Sequence, residues 1–182
     1  MNYLIVSDIH GSLGAALKIV ELNAFYQFEK IMILGDINYN GARNIVPDDY
    51  NPKKVTEILR EYKDKLIIIR GNCDSRIDEV VFNIPFFDSL KVEINEINFY
   101  LTHGDLFTKD SFPLGKGDVY IQGHTHVYEL EEEKGVYFLN PGSITLPKIH
   151  EDKTFMIFND EKNIVSLYNV DNKLLKTIII NK

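Results

Sequence analysis

Three short apolar runs, Leu4 to Ser7, Ile31 to Leu34 and Leu66 to Ile69, mark the first part of the chain, and each gives way to turn residues. Apolar runs of that length bounded by Gly, Asp or Asn predict buried strands. Between the first two, Leu13, Ala16, Leu17, Val20 and Leu22 recur at roughly helical spacing, with Ser12 placed to cap the helix. Between the second and third, Val55, Ile58, Leu59 and Tyr62 form another helical face, preceded by a Gly-, Asn-, Asp- and Pro-containing loop from Gly41 to Pro52. The pattern then changes. Val92–Ile94, Phe99–Leu101, Val119–Ile121, Val136–Phe138, Phe155–Ile157, Val165–Leu167 and Leu175–Ile179 predict strands with little helix between them. Asn95-Glu96 and Asp171-Asn172 supply hairpin turns. An α/β half followed by a β-rich half predicts two sheets packed face to face with helices outside. No repeat, low-complexity segment or linker interrupts the sequence, so residues 1–182 read as a single domain.

The polar residues fall at the strand ends. The first strand runs into Asp8-Ile9-His10, the second into Gly35-Asp36 and the third into Gly71-Asn72-Cys73-Asp74. Later strands run into His103-Gly104 and Gly123-His124-Thr125-His126. In open α/β sheets, ligands bind beyond the carboxyl ends of the strands, so these segments are expected to converge. Taken singly, each is an ordinary turn or cap. Together, Asp8, His10, Asp36, Asn72, His103, His124 and His126 offer carboxylate or amide oxygen and imidazole nitrogen, a donor set suited to Mn, Fe or Zn. Four of the chain's five histidines belong to it.

Composition narrows the partners. The 182 residues carry 20 Lys and Arg against 27 Asp and Glu, a formal net charge of −7. That average field opposes long nucleic acid, which needs a basic surface. The only cysteine is Cys73, so no disulfide forms within the chain, which fits a reducing compartment. No signal peptide or membrane-spanning run is evident, and the expected location is the cytoplasm.

The order Asp-x-His, Gly-Asp, Gly-Asn-x-Asp, His-Gly and Gly-His-x-His resembles the calcineurin-like metallophosphoesterase superfamily. The segments Ser7-Asp8-Ile9-His10-Gly11-Ser12, Arg70-Gly71-Asn72-Cys73-Asp74-Ser75 and Asn140-Pro141-Gly142-Ser143 resemble its small bacterial YfcE-type phosphodiesterases. The resemblance implies a four-layer αββα sandwich of two mixed β-sheets flanked by helices. It implies two divalent metal ions, manganese first, with zinc, iron, nickel or magnesium as alternatives. Asp8, His10, Asp36 and His126 would hold one ion, and Asp36, Asn72, His103 and His124 the other, with Asp36 bridging. It further implies hydrolysis of a phosphodiester by in-line attack of a hydroxide bridging the two metals. The substrate class is a small phosphodiester or nucleotide-like molecule, and the assembly a homodimer or homotetramer.

One position departs from much of the superfamily. Where a His protonates the leaving group, this chain has Cys73, as YfcE-type sequences do. A thiol is the poorer proton source, which favours acidic leaving groups. The alternative is a small buried residue without a catalytic part. Asp74 either orients a neighbouring group or caps the next turn, with the cap preferred.

Other residues read as structural. His150 is expected in a solvated loop and Glu131 to Glu133 at a hairpin end. Phe82, Phe86 and Phe87 fit either core or an oligomer patch, and Arg43 and Asn44 either substrate contact or surface. Two rival functions remain: a non-catalytic scaffold resembling the retromer subunit of this fold, and a nucleotide or dinucleoside polyphosphate hydrolase.

Overall fold

A computed structural model of the protein describes residues 1–149 and 152–181. Its first strand, β1 (Asn2–Val6), is buried on both faces. Leu4 and Val6 enter one core, while Tyr3 and Ile5 enter another. β2 (Lys30–Ile33) and β3 (Leu66–Ile69) divide their side chains in the same way, the habit of parallel strands covered on both sides. With β4 (Phe86–Phe87) they form a parallel run. The C-terminal strands β10 (Thr154–Asn159), β11 (Ile164–Asn169) and β12 (Leu174–Ile179) add antiparallel to β1, giving the seven-stranded order β12-β11-β10-β1-β2-β3-β4.

A second mixed sheet has the order β5-β6-β7-β9-β8. Its members are β5 (Ser89–Ile94), β6 (Ile97–Thr102), β7 (Val119–Ile121), β8 (Tyr128–Glu133) and β9 (Val136–Pro141). β6, β7 and β9 are parallel, and the edge strands are antiparallel. Phe99, Leu101, Val119, Ile121 and Leu139 face the first sheet and build the inter-sheet core with Met156 and Phe158.

Three helices cover the first sheet. α1 (Leu13–Tyr26) starts where Ser12 Oγ accepts from the Ala15 N–H, and α2 (Pro52–Arg60) follows Asn51 as cap with Pro52 in its first turn. α3 (Arg76–Phe82), which the sequence pattern does not reveal, opens on a reciprocal capping box of Ser75 and Asp78. Ala16, Ile19, Leu22, Val55, Leu59 and Phe82 pack on the sheet. Among the described residues, the outer face of the second sheet carries no long helix. Phe112, just beyond the 3-10 turn Lys109–Ser111, packs with its ring tilted against Tyr100 and Tyr120 on that face.

Phe82 and Phe86 are buried and Phe87 is packed against the inter-sheet core, which resolves that stretch in favour of core. Glu131 to Glu133 end the β8–β9 hairpin in solvent. His150 lies outside the described residues. Among the described residues no helix is long and apolar enough to cross a membrane.

Candidate metal centre

The parallel strands of both sheets deliver their polar ends to one edge. The β1–β2 ladder continues past the strands, with Asp8 N–H donating to Gly35 O (3.1 Å) and His10 N–H to Asp36 O (2.9 Å). In the second sheet Gly123 N–H donates to His103 O (3.0 Å), and Ile144 N–H donates across to Ser7 O (3.2 Å). Five of the seven sequence-nominated residues sit at positive φ: Asp8 (57°), His10 (49°), Asp36 (54°), His124 (65°) and His126 (60°). Asp, Asn and His tolerate this region better than most residues, and isolated left-handed residues cluster where side chains must be aimed.

The imidazoles are aimed by backbone carbonyls. His10 Nδ1 donates to Tyr39 O (2.8 Å), His103 Nδ1 to Leu34 O (2.6 Å) and His126 Nδ1 to Leu146 O (2.5 Å). A carbonyl can only accept, so each ring carries a proton on Nδ1 and turns its Nε2 edge toward the centre. His10 Nε2 and His126 Nε2 then face each other at 3.1 Å. Two ring nitrogens that close need a proton or a cation between them. Asp8 Oδ1 lies 3.3 Å from His126 Nε2 and 3.8 Å from His10 Nε2, buried and without a hydrogen-bond partner.

The neighbouring group is similar. His103 Nε2 lies 3.1 Å from Asn72 Oδ1, 3.2 Å from His124 Nδ1 and 3.6 Å from Asp36 Oδ2. Asp36 Oδ2 is also 3.8 Å from His10 Nε2, so this carboxylate stands between the two groups. Its other oxygen, Oδ1, accepts from Cys73 N–H (2.8 Å). Asp8, His10 and His126 form one compact donor set and Asp8, Asp36 and His103 a second; His10, Asp36 and Cys73 form a third. Converging ring nitrogens, an orphaned carboxylate oxygen and hard-to-borderline donors fit divalent cations.

The field agrees with the geometry. Burial pushes the Asp8 carboxyl up, but His126, His103 and His10 outweigh it and the net shift is downward. Burial works against a charged His103, yet Asp8 and Asp36 win and raise it. Burial, with the neighbouring His103, lowers His124. Burial drives the Cys73 thiol up to about 12, reinforced by Asp36, so it stays protonated at neutral pH.

Asp74 does not cap α3, because Ser75 does. Its carboxylate accepts from Asp36 N–H (2.9 Å), Ile37 N–H (2.8 Å) and Gly71 N–H (2.8 Å), tying the loop after β2 to the loop after β3. Other braces carry no metal-ligand signal in the sequence. Ser143 Oγ donates to Asp8 O (2.8 Å), Thr145 Oγ1 to Ile9 O (2.9 Å) and Asn140 Nδ2 to Gly123 O (2.8 Å). The Asn-Pro-Gly-Ser segment thus holds the Asp8 and His124 loops together. Gly71 and Gly123 are needed for close approach: an added Cβ would strike Asp36 at the first and Ser7 at the second.

Arg43, Asn44 and Lys148 line the same cavity as Asp36, Asn72, Cys73, His124 and His126. Arg43 and Asn44 are therefore beside the centre rather than remote surface, and Lys148 joins them without having been marked by any motif.

Residues 1–163 match the calcineurin-like phosphoesterase superfamily domain. The chain is similar to phosphodiesterase YfcE of Escherichia coli K12, 36% identical over 184 residues that cover 100% of this chain and 99% of that protein. It superposes on the structure of that E. coli phosphoesterase with a TM-score of 0.93, 34% identity and full coverage of both chains. A zinc-complexed Vps29 from Entamoeba histolytica shares the fold, with a TM-score of 0.67 at 21% identity and full coverage of both chains. Motif order, site geometry and whole-length similarity agree: this chain belongs to the calcineurin-like phosphoesterase superfamily.

Proposed function

We infer that the protein is a metal-dependent phosphodiesterase acting as one catalytic domain over residues 1–182. In this proposal Asp8, His10, Asp36 and His126 would hold one divalent cation, and Asp36, Asn72, His103 and His124 the other. The observation that carries it is the 3.1 Å approach of the His10 and His126 Nε2 atoms beside the orphaned Asp8 Oδ1. A cation among the three groups would satisfy both ring nitrogens and the carboxylate oxygen at once.

When bound, a divalent pair supplies Lewis-acid activation of water and of the phosphoryl oxygens. The chain's own residues do the rest. Asp36 is placed to serve both cations, and its Oδ1 is held by the Cys73 N–H (2.8 Å). The Nδ1 anchors of His10, His103 and His126 fix the donor edge, so little reorganisation is needed when ligands bind. Asn72 contributes a neutral oxygen and limits the negative charge facing an anionic substrate. Cys73, protonated and beside Asn72 Nδ2 (3.2 Å), is a weak donor toward a leaving alcohol.

Manganese is the proposed resident metal, the cytoplasm the proposed location, and a homodimer or homotetramer the proposed assembly. Exposed Ile77, Val80 and Val81 on α3 support an apolar contact between copies. The test is metal stripping followed by assay on bis(p-nitrophenyl) phosphate and p-nitrophenyl phosphate with Mn, Zn, Fe, Ni or Mg restored. Metal-dependent turnover that prefers the diester supports the reading. A folded protein that binds metal but turns over neither ester instead favours the scaffold alternative.

A further inference from the structure

Between α2 and α3 lies a cavity of about 460 Å³ that shares no lining residue with the metal-centre cavity. Its apolar walls are Pro52 on α2 and Ile77 and Val81 on α3, and its floor is Asn38, Thr56 and Asp78. The floor is buried and tied together. Thr56 Oγ1 donates to Asn38 Oδ1 (3.1 Å), Asn38 Nδ2 to Asp78 Oδ1 (3.0 Å) and Ser75 N–H to Asp78 Oδ2 (2.7 Å). The Tyr39 hydroxyl hydrogen-bonds the same carboxylate. The walls are open. Ile77 and Val81 are 55% and 44% exposed, apolar surface that an occupant would cover. A concave site of this volume, apolar with a few fixed polar groups, suits a small molecule.

The rim carries the charge. Lys53, Glu57 and Arg60 line it from α2. Glu57 is paired with Lys54 (2.9 Å) and lies in the field of Lys53. Asp78, the other carboxylate of the lining, is engaged in the floor. Arg60 has no ion-pair or hydrogen-bond partner among the described residues, so the uncommitted charge of the cavity is cationic.

One segment is a wall to both cavities. Asp36 and Asn40 line the metal-centre cavity, while Asn38 and Tyr39 between them line this one. The Tyr39 ring is partly exposed, and the Tyr39 carbonyl accepts from His10 Nδ1 (2.8 Å). An occupant packed on that ring therefore bears on the residue that aims His10.

We propose that the α2–α3 cavity binds a small ligand with a planar apolar body and one anionic group, and that its occupancy is linked to cation binding at the metal centre through residues 36–40. The apolar body lies against Pro52, Ile77 and Val81, and the anion meets Arg60. Bracing Tyr39 restrains the His10 anchor, so each site tightens when the other is filled. The proposal goes beyond the phosphodiesterase reading and needs only that the centre binds metal.

Indole-3-acetate and its uncharged amide, indole-3-acetamide, share one ring and serve as probes of the full-length protein with magnesium supplied. Amide-resolved NMR titration should show saturable shifts centred on residues 38–39, 52–60 and 77–81, with the acetate binding about threefold to fivefold more tightly. Arg60→Ala should erase that difference, and Val81→Asp should weaken both probes about tenfold. Both side chains are exposed, so neither change empties the core. The linkage is read by calorimetric titration of stripped protein with manganese. Saturating indole-3-acetate should tighten manganese binding about fivefold in wild type and leave Val81→Asp unmoved. Shifts centred on residues 43–48 and 145–148 instead, or no saturable shifts in the α2–α3 cavity because a second copy or nothing fills it, overturn the site. Saturable binding there with unchanged manganese affinity overturns the linkage. Neither result bears on whether the centre hydrolyses a diester.

Discussion

On one side of the centre Asp8 and His10 are fully buried and His126 is 4% exposed; on the other, His124 is half-buried and Asn72 is exposed. The rings on the enclosed side are both anchored through Nδ1 to carbonyls. On the other side His103 is also buried and anchored to Leu34 O, but His124 turns its Nδ1 toward His103, and Asn72 is steadied by its contact with Cys73. The enclosed half is preorganised by packing, whereas the open half must admit substrate and is less constrained. Cation affinity should therefore differ between the two, the enclosed half binding more tightly.

The largest effect is expected where the halves meet. Asp36→Asn should reduce metal-restored diester turnover by about a thousandfold, measured as kcat/KM, because the carboxylate charge shared by both sides is lost. A smaller, asymmetric effect separates the halves. His126→Ala should weaken the tighter manganese site by about a hundredfold, and His124→Ala the weaker site by about tenfold, read by calorimetric titration of stripped protein. Equal losses at a single class of site would erase the distinction.

The third test concerns the scaffold beneath the open half. Asp74→Ala leaves the N–H groups of Asp36, Ile37 and Gly71 without their shared acceptor. The expected cost is about 2–3 kcal/mol in urea unfolding of stripped protein. Asp74→Asn should recover part of it, since an amide retains one acceptor oxygen. The smallest effect is chemical. Cys73→His should improve alkyl-leaving esters relative to aryl-leaving ones by roughly tenfold, as a better proton donor matters most for a poor leaving group. An unchanged ratio would return Cys73 to a packing role.

The sequence showed the centre more clearly than the frame. Asp8, Asp36, Asn72 and the four histidines stand out because each follows a strand and offers metal-binding atoms. The anchors do not stand out. The partners of His10, His103 and His126 are main-chain carbonyls of Tyr39, Leu34 and Leu146, and nothing in a side chain's identity marks its carbonyl. Asp74 looked like a cap because Asp before a helix commonly is one; only the fold brings Asp36, Ile37 and Gly71 within its reach. α3 is not legible in the sequence because Ile77, Val80 and Val81 face outward, which blurs its apolar periodicity. β8 was hidden by its Glu-rich end, and β4 by its two-residue length.

The carbonyl anchors have a consequence for how this site can change over time. A carboxylate anchor can be deleted by one substitution; a main-chain carbonyl persists whatever side chain is attached to it. The orientation of three rings is thus insulated from mutation at Tyr39, Leu34 and Leu146 as long as the loops keep their course. Drift in the walls around the centre can retarget or abolish turnover without disturbing those rings. Metal binding should therefore be the property most resistant to sequence drift, outlasting any particular substrate.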